Sequence, residues 1–184
     1  GPFSSRVFMN TSAKRNIAYK AAGMVPDGSI VFLDQSSTCY HLAEALMGKR
    51  DLTVVTNNLE IARLLSQTNF HVHISGGQLC STARTCMVGE DAHQIFLSIY
   101  ADFAFFSTRS LSADGIVSDC NRDEINVRNA MLKCAKCKVF LCDSSKFNST
   151  AGYIQCSLQD LDVTVSEEDT ASVYSEVFPE LRIL

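Results

Sequence analysis

The sequence predicts an α/β fold, a mostly parallel sheet flanked by helices, in a single domain. Three observations carry that prediction. Short apolar runs recur along the chain, stretches with helical apolar spacing separate them, and no cluster of Pro or Gly marks a linker or an internal repeat. A small extra β segment is expected around residues 153–156 (YIQC).

In chain order, residues 11–22 read as a first helix carrying Lys14, Arg15 and Lys20, a basic cluster expected to decorate its surface. Residues 29–33 (SIVFL) form the first strand, and Leu42, Ala43 and Leu46 mark one face of the helix that follows. Residues 52–55 (LTVV) are the second strand, followed by a helix with Leu59, Ile61, Ala62 and Leu65. Residues 71–74 (HVHI) are the third, leading through Gly76-Gly77 to a helix near 90–98 with Ile95 and Phe96. A fourth strand at 103–106 (FAFF) leads through a longer polar loop to a helix at 122–134. Residues 139–142 (VFLC) and 162–165 (DVTV) complete the set.

Bulk properties narrow the function. The chain has 184 residues, ordinary hydrophobic content and a formal net charge of −4 with 16 basic residues, a poor balance for gripping DNA or an anionic membrane over a broad surface. No apolar run approaches the roughly 20 residues that span a bilayer, and no membrane partner is expected. Gly1-Pro2 reads as the scar of a cleaved tag, residues 1–10 as scar and linker remnant, and residues 11–184 as the domain. Eight cysteines without a secretion signal point to a reducing cytoplasm. Only Cys134 and Cys137 have metal-like spacing, and no second pair completes a tetrahedral set, so neither a metal nor a cofactor is expected. His41, His71, His73 and His93 are scattered and read as structural.

In open α/β sheets ligands collect at the carboxyl ends of the strands. The loops there are Asp34-Gln35-Ser36-Ser37-Thr38, Thr56-Asn57-Asn58, Ser75-Gly76-Gly77-Gln78, Ser107-Thr108-Arg109-Ser110 and Asp143-Ser144-Ser145-Lys146. All carry hydroxyls or amides, and two carry a cation. Loops on the opposite edge are plain turn chemistry, such as Met24-Val25-Pro26-Asp27-Gly28. A helix N-terminus offers unpaired N–H groups to a phosphate or carboxylate, and Gly76-Gly77 would allow close backbone approach. A small, polyhydroxylated anion such as a sugar phosphate fits this set. Ser36-Ser37-Thr38 is equally an ordinary helix cap, and both readings stand on the residues alone.

The order Phe32-Leu33-Asp34, Ser37-Thr38, then Leu52-Thr53-Val54-Val55-Thr56-Asn57, Gly76-Gly77 and Asp143-Ser144-Ser145-Lys146-Phe147 resembles the C-terminal sensor domain of DeoR-type bacterial transcriptional regulators, from about residue 14 to 168. The resemblance implies a ribose-5-phosphate isomerase/NagB/CoA-transferase-like fold and a separate N-terminal helix-turn-helix that contacts operator DNA. It further implies a phosphorylated sugar or polyol effector and a homo-oligomer, dimer or tetramer, repressing a sugar-catabolism operon. Asp34, Ser36, Ser37 and Thr38 would hold the effector phosphate. Thr56, Asn57, Gly76, Gly77 and Lys146 match the other pocket loops, while Glu124 and Arg128 match a helix motif usually ending in lysine. Arg109 is a possible anion ligand of this chain's own. Ser36 stands where the family usually has glycine. The alternative is a sugar-phosphate isomerase on the same fold. Such isomerases carry an acidic Asp-Gly-Ala-Asp-Glu cluster after the fourth strand, where this chain has Ser107-Thr108-Arg109-Ser110, which favours a sensor without catalytic residues.

Overall fold

A computed structural model describes residues 2–167, 173–177 and 182–184. Residue 168, the end of the family resemblance, lies outside the described residues. The elements run α1 (Phe3–Phe8), α2 (Thr11–Ala22), β1 (Ile30–Leu33), α3 (Ser37–Leu46), β2 (Thr53–Thr56), α4 (Leu59–Leu65), β3 (His71–Ile74), β4 (Gln78–Leu79), β5 (Met87–Val88) and α5 (Glu90–Ser98). They continue with β6 (Ala101–Phe106), β7 (Ser110–Leu111), β8 (Ile116–Asp119), α6 (Arg122–Lys133), β9 (Ala135–Leu141), β10 (Tyr153–Ser157), β11 (Val163–Val165) and α7 (Val173–Val177).

The main sheet has the order β11-β9-β6-β1-β2-β3, and its strand pairs are all parallel. Both faces of its central strands are covered, which is why they read as nearly continuous apolar runs. Alternate residues of β1 serve different cores. Val31 and Leu33 pack with Ile17, Leu42, Leu46 and Val54 under α2 and α3. Phe32 points the other way, to Phe96, Val127 and Met131 under α5 and α6, and meets Phe96 edge-on at 5.1 Å. The edge strand β3 is far more exposed, so His71 and His73 stand at the border of the sheet, away from the polar loops of its centre.

Two pieces depart from a simple alternation. The segment after β3 folds first into the β4–β5 hairpin before α5 begins. The polar stretch after β6 holds β7 and β8, which join β10 in a three-stranded antiparallel sheet; this is the extra β segment expected around 153–156. Residues 1–10, expected as scar and linker, contain the helix α1, with Phe3 buried edge-on against Tyr40 at 5.7 Å. Among the described residues no helix is long and apolar enough to cross a membrane.

Candidate functional site

The strand order decides which loops meet. Leaving β1, the chain builds outward through β2 and β3 on one side, then returns through β6, β9 and β11 on the other. The loops after β1, β6 and β9 are therefore neighbours at the switch point, where an open α/β sheet leaves a crevice. A cavity of about 550 Å³ lies there, lined by Ser36 and Ser37, by Ser107, Thr108 and Arg109, by Asp143, Ser145 and Lys146, by Asp119 at the end of β8, and by Asn121, Glu124 and Arg128 of α6 and its cap. Its size suits a small metabolite.

Beneath the cavity lies a buried charge knot. Asp34 is fully buried. Its Oδ1 accepts from Ser36 N at 2.9 Å, and its Oδ2 accepts from Ser107 N at 3.1 Å and from Arg128 Nε at 2.9 Å. Arg128 Nη1 donates to Asp119 Oδ2 at 3.0 Å. The knot thus pins the loops after β1 and β6 to α6. Its carboxylates hold the Arg128 guanidinium charged against its own burial. Asp34 accordingly stands behind the cavity wall and not in its lining. Three hydrogen bonds to protein donors already occupy it.

Helix α3 opens above this knot. Ser36 is its N-cap, and its hydroxyl accepts from Cys39 N at 3.1 Å. The side chain of Ser37 lies at the cavity wall, and Thr38 is buried in the first turn with its hydroxyl oxygen unpaired among the described residues. Lys146 reaches across from the loop after β9, donating to Ser107 Oγ at 2.9 Å, with Asp143 at 3.8 Å. Glu124 accepts from Gln35 Nε2 at 3.3 Å. Its carboxyl is pushed above the usual range by burial and by Asp119, against the pull of Arg128.

Two cationic cavity residues escaped the sequence reading. Lys14, expected on a solvated helix face, is only 4% exposed. Its Nζ donates to Ser37 Oγ at 2.9 Å and to the Arg6 carbonyl at 2.6 Å. Burial, together with the nearby Lys146, lowers its pKa to about 8. Arg6, in the stretch read as scar and linker, lines the same cavity. One sequence signal could have found Lys14. It heads the stripe Lys14, Ile17, Ala18 and Ala21, the buried face of α2. Counting these, five cationic side chains (Arg6, Lys14, Arg109, Arg128, Lys146) face three carboxylates (Asp119, Glu124, Asp143) across the cavity, in a chain whose net charge is −4.

Six expected site residues stand outside the cavity lining: Asp34 and Thr38 lie buried beneath it, and Thr56, Asn57, Gly76 and Gly77 lie at the loops of β2 and β3. Thr56 Oγ1 accepts from Asn58 N at 3.1 Å. Asn57 Nδ2 donates to the Met87 carbonyl at 2.9 Å and to Gln35 Oε1 at 3.2 Å. Gly76 and Gly77 serve close packing, but against α5 and its hairpin. A Cβ on Gly77 would meet the Val88 carbonyl oxygen at 2.5 Å, and the backbone there has φ +112°. Their part is to brace the β2 side of the site through Gln35 and the hairpin. Ser36, Ser37, Arg109, Glu124, Arg128 and Lys146 are brought together at the cavity.

The thiols follow packing. Cys39, Cys80, Cys86 and Cys142 are buried, and burial pushes the Cys142 and Cys156 thiols up to about 12, far from a reactive thiolate. Among the described residues no three His, Cys, Asp or Glu side chains gather as a metal site.

Comparison with known proteins identifies the family. The profile described as "DeoR C terminal sensor domain" matches residues 9–168. A relative from Escherichia coli K12, named an uncharacterized HTH-type transcriptional regulator YgbI, is 33% identical over 156 residues, 84% of this chain and 60% of its own. A glycerol-3-phosphate regulon repressor from Haemophilus influenzae is 32% identical over 139 residues, 75% of this chain and 54% of its own. The chain spans little more than half the length of these relatives. Among solved structures, ribose 5-phosphate isomerase A from Methanocaldococcus jannaschii matches with TM-score 0.55 and 16% identity, over 75% of this chain and 55% of that one. The delta subunit of eIF2B from Chaetomium thermophilum gives 0.62 and 15%, over 86% and 58%. At such identities the likeness shows the fold alone, which is ribose-5-phosphate isomerase-like. The chain belongs to the DeoR C-terminal sensor domain family.

Proposed function

We propose that the cavity is an effector site for a small phosphorylated sugar or polyol. The phosphate sits at the amino end of α3 against Ser36 and Ser37, flanked by Lys14, Lys146 and Arg109, and the hydroxyls turn toward Asp119, Asn121 and Glu124. One observation carries this reading: an excess of cations gathers beside a helix N-terminus in the crevice at the strand ends, in a chain that is acidic overall. A relative's name, glycerol-3-phosphate regulon repressor, agrees in ligand class. In the whole protein, occupancy alters operator binding by a helix-turn-helix domain, acting within a homo-oligomer in the cytoplasm. A ligand can do this only through different affinity for the DNA-competent and incompetent arrangements.

The family is described as a sensor domain, which favours a sensor over an isomerase. The carboxylates nearest the cavity are already engaged, Asp119 by Arg128 and Glu124 by Gln35. A thermal-shift panel of sugar and polyol phosphates against their unphosphorylated parents tests the reading. A ligand at a hundred times its Kd stabilises by about 2.7 kcal/mol, and only the phosphorylated members are expected to do so. Equal shifts from the unphosphorylated parents would refute it.

A further inference from the structure

We infer that Lys14 is a ligand residue of this cavity and that it couples the seat to the amino-terminal helix, so that an oxyanion bound against Ser37 fastens α1 in place. The inference rests on the reading of the cavity as an anion seat.

Its basis is the way one ammonium is shared. A lysine ammonium carries three protons. Lys14 gives one to the Arg6 carbonyl at 2.6 Å and one to Ser37 Oγ at 2.9 Å, and the side chain lines the cavity. The first acceptor belongs to α1 and the second to the first residue of α3. An anion at Ser37 therefore meets the same ammonium that holds the helix. Helix α1 has only six residues, too few to persist without tertiary support. Its other side-chain ties among the described residues are few: Phe3 against Tyr40, His41 Nε2 donating to the Val7 carbonyl at 2.8 Å, Thr11 Oγ1 donating to the Phe8 carbonyl at 3.0 Å, and the following Asn10 donating to Ser145 Oγ at 3.2 Å. Phe8 and Met9 remain exposed. An element held by so few contacts belongs to the low-stability end of a structure, and one strong bond changes its population.

The charges around Lys14 supply the coupling. Arg6 on α1 and Lys146 after β9 repel the ammonium, Asp143 attracts it, and burial disfavours it. Without an anion the proton on Lys14 is held less tightly than on an ordinary lysine. A phosphate dianion at Ser37 adds the counter-charge the site lacks, keeps Lys14 protonated and strengthens its bond to the Arg6 carbonyl. By linkage, docking of α1 must favour the anion as much as the anion favours docking.

The test uses the 184-residue chain with inorganic phosphate, reading amide hydrogen exchange of residues 4–9 alongside phosphate affinity. In the unaltered chain saturating phosphate is expected to slow exchange across α1. Lys14→Met should bind phosphate at least about tenfold more weakly, and α1 should no longer respond at saturation, as expected on losing a charge-assisted contact. Lys146→Met should also bind more weakly, yet saturating phosphate should still slow α1. A Lys14→Met chain whose affinity and α1 response match the parent overturns the inference while leaving the anion seat standing. So does a parent that phosphate stabilises thermally without slowing α1. If phosphate does not stabilise the parent at all, the anion seat falls and the coupling with it. Should Lys14→Met fail to fold, calorimetry on the unaltered chain at pH 8 in buffers of different ionisation enthalpy decides. Phosphate is then already mainly dianionic, and net proton uptake is expected, whereas no uptake overturns the inference.

Discussion

Replacing Arg128 by leucine tests whether the charge knot under the cavity organises the site. The substitution removes the Nε bond to Asp34 at 2.9 Å and the Nη1 bond to Asp119 at 3.0 Å. Asp34 is fully buried and would keep only the amides of Ser36 and Ser107. Removing one partner of a buried pair costs about 3–5 kcal/mol, because the other charge stays buried without compensation. The two remaining amide donors favour the lower half of that range. For a domain of this size each kcal/mol moves the midpoint by about 2–4 °C, so Tm should fall by roughly 6–16 °C. The assay is urea and thermal unfolding of the ligand-free chain. Adding Asp34→Asn to Arg128→Leu should restore part of the loss, a coupling of about 1–3 kcal/mol in a double-mutant cycle. A single variant within about 1 kcal/mol of the parent would refute the reasoning, since surface pairs are worth no more than that.

Three further outcomes follow from the same geometry. Gly77→Ala places a Cβ at 2.5 Å from the Val88 carbonyl oxygen at φ +112°, and should cost at least about 2 kcal/mol in chemical denaturation; because Gly77 lies outside the cavity lining, phosphate affinity in calorimetry should be unchanged. Ser36→Gly removes a cap that accepts from Cys39 N, so stability should fall by only a few tenths of a kcal/mol. The freed Cys39 amide then replaces the lost hydroxyl as a donor to the anion, and phosphate affinity should stay within about threefold in calorimetry. The third outcome concerns pH. The Lys14 pKa is lowered to about 8 from its usual 10.5, so between those values the unfolded chain holds more protons at this group than the folded one. Its penalty on folding is therefore full below about pH 8 and lifts as pH rises toward 10.5. Phosphate affinity moves oppositely, declining above about pH 8 as Lys14 loses its charge, and Lys14→Met should flatten that decline in a calorimetric pH series.

How much of this was legible in the sequence differs by element. Central strands such as Ile30–Leu33 and Thr53–Thr56 are buried on both faces, so their apolar runs betray them. Helix α3 shows a clean apolar stripe and a cap. The hairpin strands β4 and β5 have two residues each, too short for any period to register. Strand order is a tertiary property. The loops ending β1, β2, β3, β6 and β9 carry similar chemistry, and the order β9-β6-β1-β2-β3 decides that Ser36, Arg109 and Lys146 share a cavity while Thr56, Asn57, Gly76 and Gly77 brace its flank. Lys14 was obscured for another reason. A lysine on a helix usually faces water, and here it is buried because it bridges a carbonyl and a hydroxyl of two other elements. Asp34 stands out in the sequence as a polar residue at a strand end, but only the fold shows that it lies buried beneath the cavity without lining it.

The central claim is that this cavity takes a phosphorylated metabolite through its phosphate. Calorimetric titration of the unaltered chain and of Lys146→Met with glycerol 3-phosphate, inorganic phosphate and glycerol tests it most directly. The expected result is binding of both phosphates, none of glycerol, and a loss of at least about tenfold for both phosphates in the variant, whose ammonium otherwise bonds Ser107 Oγ at 2.9 Å beside the seat. Phosphate binding that is indifferent to Lys146, or no binding of either phosphate, would contradict it.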